Sequence, residues 1–139
     1  MRVMLDTNII VDIISKRVGY SESLSVLECC EVGYAEGNVS TTTVTDVMYI
    51  LRKQTAPNTI QDAMQTLLAI LDVAGVVKSD ITNAFVGEIS DFEDAVQAFC
   101  AARHNMDYII TRNVKDFKQS SVQAILPDDF LKLLENETA

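Results

Sequence analysis

An open α/β fold, a mostly parallel central sheet of about four or five strands flanked by helices, is predicted by two features of the chain. Short apolar runs alternate with longer segments of helical period throughout its 139 residues, and aspartates recur where these elements meet. Alternation of this kind builds β-α-β units, whose crossover helices cover the faces of a parallel sheet. Ligands of such sheets bind outside the carboxyl ends of the strands, where the departing loops splay apart. An acid in that position costs stability unless something uses it.

Val3-Met4-Leu5 reads as the first strand, with Asp6 at its carboxyl end. Thr7 to Ser15 is a helix, because Ile9, Ile10, Ile13 and Ile14 recur on one face. Ser21 opens a second helix to about Gly33, with Leu24, Val26 and Leu27 inward, and Val39-Ser40 is a short second strand. Thr43 to Lys53 is helical, since Val44, Val47, Met48 and Leu51 fall at threes and fours. Pro57 begins a fourth helix to Leu71, proline being tolerated in a first turn where its missing N–H has no partner to lose. Gly75-Val76-Val77 is the third strand, Ile81 to Ile89 a short helix, and Ser90 to His104 a long one. Tyr108 to Thr111 is the fourth strand, Ala124-Ile125-Leu126 the fifth, and Pro127 starts the closing helix. No repeat or low-complexity tract interrupts the pattern.

Length and a hydrophobic content of 48% fit one domain spanning 1–139, with no linker dividing it. The cysteines, Cys29, Cys30 and Cys100, are odd in number and lack metal-ligand spacing, so reduced thiols in the cytoplasm are expected. No window reaches the roughly 18 apolar residues of a membrane span, and no basic segment leads into a cleavable apolar stretch. A net charge of −9 argues against a broad basic face for nucleic acid. Carboxylates gathered around divalent cations add to that negative sum, however, while the loaded site attracts phosphate. Positive charge is clustered: Arg112, Lys115 and Lys118 surround Asp116, and Arg52-Lys53 end the segment carrying Asp46.

The candidate residues are Asp6, Asp46, Asp94 and Asp116, and each has a structural alternative. Thr43-Val44-Thr45-Asp46 fits a Thr-x-x-acid helix start, and Ser90-Asp91-Phe92-Glu93 fits the Ser-x-x-Glu form, which makes Glu93 a cap and leaves Asp94 without one. Asp91 and Asp94, one turn apart, can face the same crevice. Asp116 can be a turn residue in Asn113-Val114-Lys115-Asp116. Four element starts carrying Asp on one side of a sheet make a cation site, and oxygen donors without a competing His or Cys set suit Mg²⁺ or Mn²⁺. His104, the only histidine, ends the long helix beside Arg103, where a cation suits the helix dipole. Neither Gly-x-x-x-x-Gly-Lys nor Gly-x-Gly-x-x-Gly is present, so nothing supports a nucleotide cofactor.

Leu5-Asp6-Thr7-Asn8, Ser40-x-x-Thr43-x-x-Asp46, Phe92-Glu93-Asp94-Ala95, and Asp107-Tyr108-Ile109-Ile110-Thr111-Arg112-Asn113-x-x-Asp116-Phe117, in this order, resemble the successive motifs of a PIN domain. The resemblance implies a PIN-like fold and a metal-dependent ribonuclease, most often the toxin of a toxin–antitoxin pair of the VapC type, commonly dimeric and inhibited by a small antitoxin. Carried over by position, Asp6 matches the first metal-binding acid, Asp46 the second, Asp94 the third and Asp116 the fourth. The second position is usually Glu, one methylene longer than Asp46, and some relatives carry an acid where Asn113 stands. Asn8 and Thr111 would orient acids or a phosphate oxygen, Arg112, Lys115 or Arg52 would grip the RNA backbone, and Asn113 would help to position the substrate.

Two rival readings follow from the same residues. A catalytically impaired PIN-like binding module is compatible with Asp46 and Asn113. A phosphoacceptor signalling domain would use an acid after strand one, Asp80 and Thr111, but Leu5-Asp6 lacks paired acids and Leu126-Pro127 stands where a lysine is expected. The apolar residues of Pro57 to Leu71 spread over a wide arc, so this helix and Thr43 to Lys53 are expected to form a homodimer surface or an antitoxin groove, with Arg52 and Lys53 anchoring an acidic peptide.

Overall fold

The computed structural model describes residues 1–138. Five strands, β1 (Arg2–Leu5), β2 (Glu36–Ser40), β3 (Asp72–Ala74), β4 (Tyr108–Ile110) and β5 (Gln123–Ile125), form one sheet in the order β3-β2-β1-β4-β5. Every pairing is parallel. Seven α-helices are described: α1 (Thr7–Ser15), α2 (Tyr20–Glu31), α3 (Thr41–Leu51), α4 (Pro57–Leu68), α5 (Lys78–Val86), α6 (Phe92–Arg103) and α7 (Pro127–Thr138), with a 3-10 turn at Val114–Phe117. The predicted fold class is therefore the observed one.

Side chains alternate across a strand, and the sheet uses both faces. Val3, Leu5, Val39 and Ile110 join a core with Ile10 of α1, Val26 of α2, Leu51 of α3, Ile60 of α4 and Phe130 of α7. Met4, Ala74, Ile109 and Ala124 join the core of the opposite face with Ala84 of α5 and Ala98 of α6. Gly37 is where β2 meets α2 most closely: a Cβ there would lie 2.6 Å from both Cys30 Sγ and Leu71 Cδ2.

The chain runs outward through β1, β2 and β3, then returns to place β4 on the free side of β1. This reversal puts the switch point, and the crevice it opens, at the carboxyl ends of β1 and β4. The order also separates the fold from the phosphoacceptor alternative, whose doubly wound sheet runs 2-1-3-4-5. Asp80, its second acid, is buried: Oδ2 accepts from Val77 N at 3.0 Å, and the carboxylate pairs with Arg103 at 2.9 Å. Burial would raise its pKa, but Arg103 and the Val77 amide outweigh burial and hold it below the ordinary value.

Strand three lies three residues before the predicted Gly75-Val76-Val77. Ala74 pairs with Ser40, the last residue of β2, so the sheet ends there. The Gly75 carbonyl is taken by Arg103 Nη2 and by His104 Nε2 at 3.0 Å, which directs Val76-Val77 away from the ladder. His104 thus tethers the loop after β3. Helix α4 differs too: Ile60, Met64 and Leu67 fill its own core, so its wide apolar arc is largely covered from within. Large apolar side chains are instead exposed at Tyr49 and Ile50 of α3, Phe85 and Val86 of α5, and Phe92 of α6. The three cysteines are free thiols. No described helix is long and apolar enough to cross a membrane.

Candidate active site

Asp6 leaves β1 in an extended conformation, φ −69° and ψ 159°, and caps α1. Its side chain is buried at the switch point and accepts four hydrogen bonds. Oδ1 accepts from Thr7 N at 2.8 Å and Gln97 Nε2 at 3.2 Å. Oδ2 accepts from Thr111 Oγ1 at 2.8 Å and Asn8 Nδ2 at 3.3 Å. These donors stabilise the carboxylate, but burial outweighs them and raises its pKa.

The donors are themselves fixed. Thr111 Oγ1 accepts from Asn113 N at 3.0 Å and Asn8 Nδ2 at 3.2 Å, while Asn8 Oδ1 accepts from Arg112 N at 3.3 Å. Residues leaving β1 and β4 are thereby knitted into one edge. Gln97 Nε2 also donates to Thr43 Oγ1 at 3.0 Å, and Thr43 Oγ1 lies 3.0 Å from Thr7 Oγ1. Two strand ends and two helices, α3 and α6, therefore meet around one carboxylate.

Neither predicted helix cap is the one used. Ser40 Oγ accepts from Thr43 N at 3.2 Å and caps α3, which starts at Thr41, two residues before the predicted start, so Asp46 lies inside the helix with no capping task. Asp91 Oδ1 accepts from Asp94 N at 3.0 Å and caps α6, which releases Glu93. Asp6, Asp46, Glu93 and Asp94 then line one open pocket together with Asn8, Gln97, Arg17, Arg112 and Asn113. Asp116 is exposed in the 3-10 turn and is not among the lining residues, although its charge reaches Asp94. Of the four predicted acids, the fold gathers three and leaves the fourth beside them.

Asp94 carries the largest consequence of this crowding. Burial, then the charges of Asp6, Asp91, Asp116 and Glu93, push its carboxyl up to about 7. Asp46 is raised by burial, and Glu93 is raised chiefly by Asp46. Adjacent carboxylates that cannot all ionise cheaply are a set that binding a cation relieves.

Donor chemistry fits a hard divalent ion. The pocket offers oxygens, and Gln97 Oε1 is a buried acceptor without a hydrogen bond among the described residues. Its amide cannot be turned the other way, because Asp6 Oδ1 can only accept. Among the described residues no three His, Cys, Asp or Glu side chains already form a close metal-binding group. Sequence reasoning missed Gln97 and gave Glu93 a cap's role. The available signal was spacing, since Glu93, Asp94 and Gln97 lie within one turn of α6.

A PIN domain family model matches residues 2–115. Among solved structures, VapBC2 from Rickettsia felis bound to a promoter DNA fragment is similar with TM-score 0.74 and 20% identity, covering 91% of this chain and 98% of that one. A toxin–antitoxin complex from Klebsiella pneumoniae is similar with TM-score 0.69 and 23% identity, covering 90% and 97%. VapC20 from Mycobacterium tuberculosis, described as a toxin that cleaves the sarcin–ricin loop, gives TM-score 0.63 and 10% identity, covering 77% and 86%. No curated protein sequence gives a significant match.

Proposed function

The chain belongs to the PIN domain family, and from that premise we propose that it is a divalent-metal-dependent endoribonuclease, Mg²⁺ or Mn²⁺ being the metal, and the toxin of a toxin–antitoxin pair. One observation carries the reading: the carboxylates of Asp6, Asp46, Glu93 and Asp94 line a single pocket at the switch point of the sheet. The solved relatives include toxin–antitoxin complexes and an RNA-cleaving toxin, which supports an RNA substrate and an antitoxin partner.

Asp6 and Asp94 would hold the metal, with Asp46 and Asp116 completing the acid set and Gln97 Oε1 as a further oxygen facing it. When bound, a divalent ion supplies a lowered pKa for attacking water and charge neutralisation at phosphorus. The chain's own residues do the rest. Thr111 and Asn8 fix the Asp6 carboxylate by hydrogen bonds, so it does not reorganise as charge develops. Asp46 and Glu93, which line the pocket and whose carboxyls are raised, would take a proton from attacking water. Arg17 and Arg112 bring positive charge to the pocket wall, where an RNA phosphate would otherwise meet only acids.

The exposed apolar surface around Phe85, Val86 and Phe92, with Tyr49 and Ile50, supports self-association through α5, α6 and α3 in place of α4. Incubating the purified protein with RNA, with and without Mg²⁺, tests the function. Metal-dependent internal cleavage is expected. Intact RNA at every metal concentration, from a folded protein, would leave the impaired binding module as the better reading.

A further inference from the structure

We propose that Asp12 is a positioning residue that holds Arg112 at the wall of the acidic pocket, so that its guanidinium takes a phosphate oxygen of the RNA. The proposal rests on the ribonuclease reading above and adds to it the element that keeps a cation available beside four acids.

Asp12 lies on α1, one turn beyond Asn8, on a helix whose neighbouring Ile9, Ile10, Val11 and Ile13 are buried. Its side chain has no solvent exposure, and Arg112 Nε stands 2.6 Å from Oδ2. Neither carboxylate oxygen has a partner of hydrogen-bond geometry among the described residues, so the attraction is between charges, with Arg17 adding a second one. An isolated buried ion pair is poor evidence of stabilisation, since apolar residues of the same volume do as well or better. This pair has a different setting. The side chain of Arg112 is 44% exposed and lines the pocket alongside Asp6, Asp46 and Asp94.

The geometry commits only one nitrogen of the guanidinium. Nε faces Asp12, whereas no described residue hydrogen-bonds Nη1 or Nη2, the pair that forms a fork for phosphate. The backbone is fixed as well, because Asn8 Oδ1 accepts from Arg112 N at 3.3 Å. The turn between α1 and α2 closes over the pair. A Cβ on Gly19, whose φ is +91°, would lie 3.9 Å from both Asp12 Oδ2 and Arg112 Cδ. Without Asp12, a loose arginine beside a crowd of carboxylates would fold onto them and compete with RNA. Asp12 out-competes the acids of the pocket and leaves the fork free.

The two roles of a buried charge give opposite signs. Simple electrostatics says that removing the negative charge of Asp12 improves RNA binding. Positioning says that it worsens it. For Asp12→Ala, KM for a single-stranded RNA is expected to rise about tenfold with kcat within a factor of about two, the size of one charge-assisted contact. Arg112→Gln should match it, and Asp12→Ala/Arg112→Gln should be no worse than either single change. The double variant also separates binding from folding: it should recover stability that Arg112→Gln loses by stranding a buried carboxylate, yet keep the raised KM. In the unaltered protein the Arg112 side-chain signals in NMR should show restricted motion, and in Asp12→Ala they should not. A KM for Asp12→Ala that is unchanged or lowered overturns the proposal while the ribonuclease reading stands. Absence of cleavage by the unaltered protein overturns both.

Discussion

Thr111 donates its hydroxyl proton to Oδ2 of Asp6 over 2.8 Å, joining the end of β4 to the end of β1 where the strand order reverses. A parallel sheet opens its crevice at such a point, and here the crevice holds a carboxylate oriented by hydrogen bonds to both of its oxygens. Asp94, in contrast, has no side-chain hydrogen bond among the described residues and is raised to about 7. The two acids should therefore respond differently to substitution.

Asp94→Asn is expected to abolish cleavage and to stabilise the metal-free protein. Its carboxyl titrates near 7 when folded and near 3.9 when unfolded, so between these values the folded state binds more protons and stability falls as pH rises. In EDTA the unaltered protein should lose on the order of 2 kcal/mol from this group between pH 4 and 8, after allowance for partial exposure. Urea denaturation at several pH values should show a flatter profile for Asp94→Asn. A parallel profile would mean that Asp94 bears no such repulsion.

Asp6→Asn should also abolish cleavage, but it should destabilise the protein by about 1–2 kcal/mol, because an amide cannot accept from all four donors and weakens the cap of α1. Thermal melting of the metal-free variant measures this. An unchanged or higher melting temperature would contradict the hydrogen-bond arrangement described for Asp6.

Asp46 carries no cap, since Ser40 has that task. Asp46→Ala should leave stability within about 0.5 kcal/mol and reduce cleavage by about tenfold or more, whereas Asp46→Glu should be tolerated or improve it. Equal cleavage by all three proteins would confine Asp46 to the surface of α3.

Gln97→Leu removes both the donor to Asp6 and the unpaired Oε1. The Mg²⁺ concentration for half-maximal cleavage is expected to rise about tenfold or more, as loss of a group supporting a metal ligand does. A titration indistinguishable from that of the unaltered protein would assign Gln97 to packing alone.

The sheet was legible because its central strands are continuous apolar runs with an acid or a threonine at the tip, and Asp6 and Thr111 were placed correctly from that pattern. Helix starts were less legible. Ser40 and Thr43 are both residue types that cap helix starts, as are Asp91 and Ser90, and only the end of the preceding strand or turn decides which is used. The edge strand β3 was misplaced because Val76-Val77 is the more apolar run, while pairing with β2 selects Asp72–Ala74. Asp12 gave no signal, and Gln97 gave only its spacing from Glu93 and Asp94 on α6. Each is a polar residue in an apolar helix, and its partner is distant in sequence: Arg112 for one, Asp6 and Thr43 for the other.

The most direct test of the account is metal-dependent RNA cleavage by the unaltered protein, Asp6→Asn and Asp94→Asn, each first shown to be folded by circular dichroism. Internal cleavage by the unaltered protein that EDTA abolishes and Mg²⁺ or Mn²⁺ restores is expected, and none by either variant. Cleavage retained by both folded variants, or equal with and without metal, would contradict it.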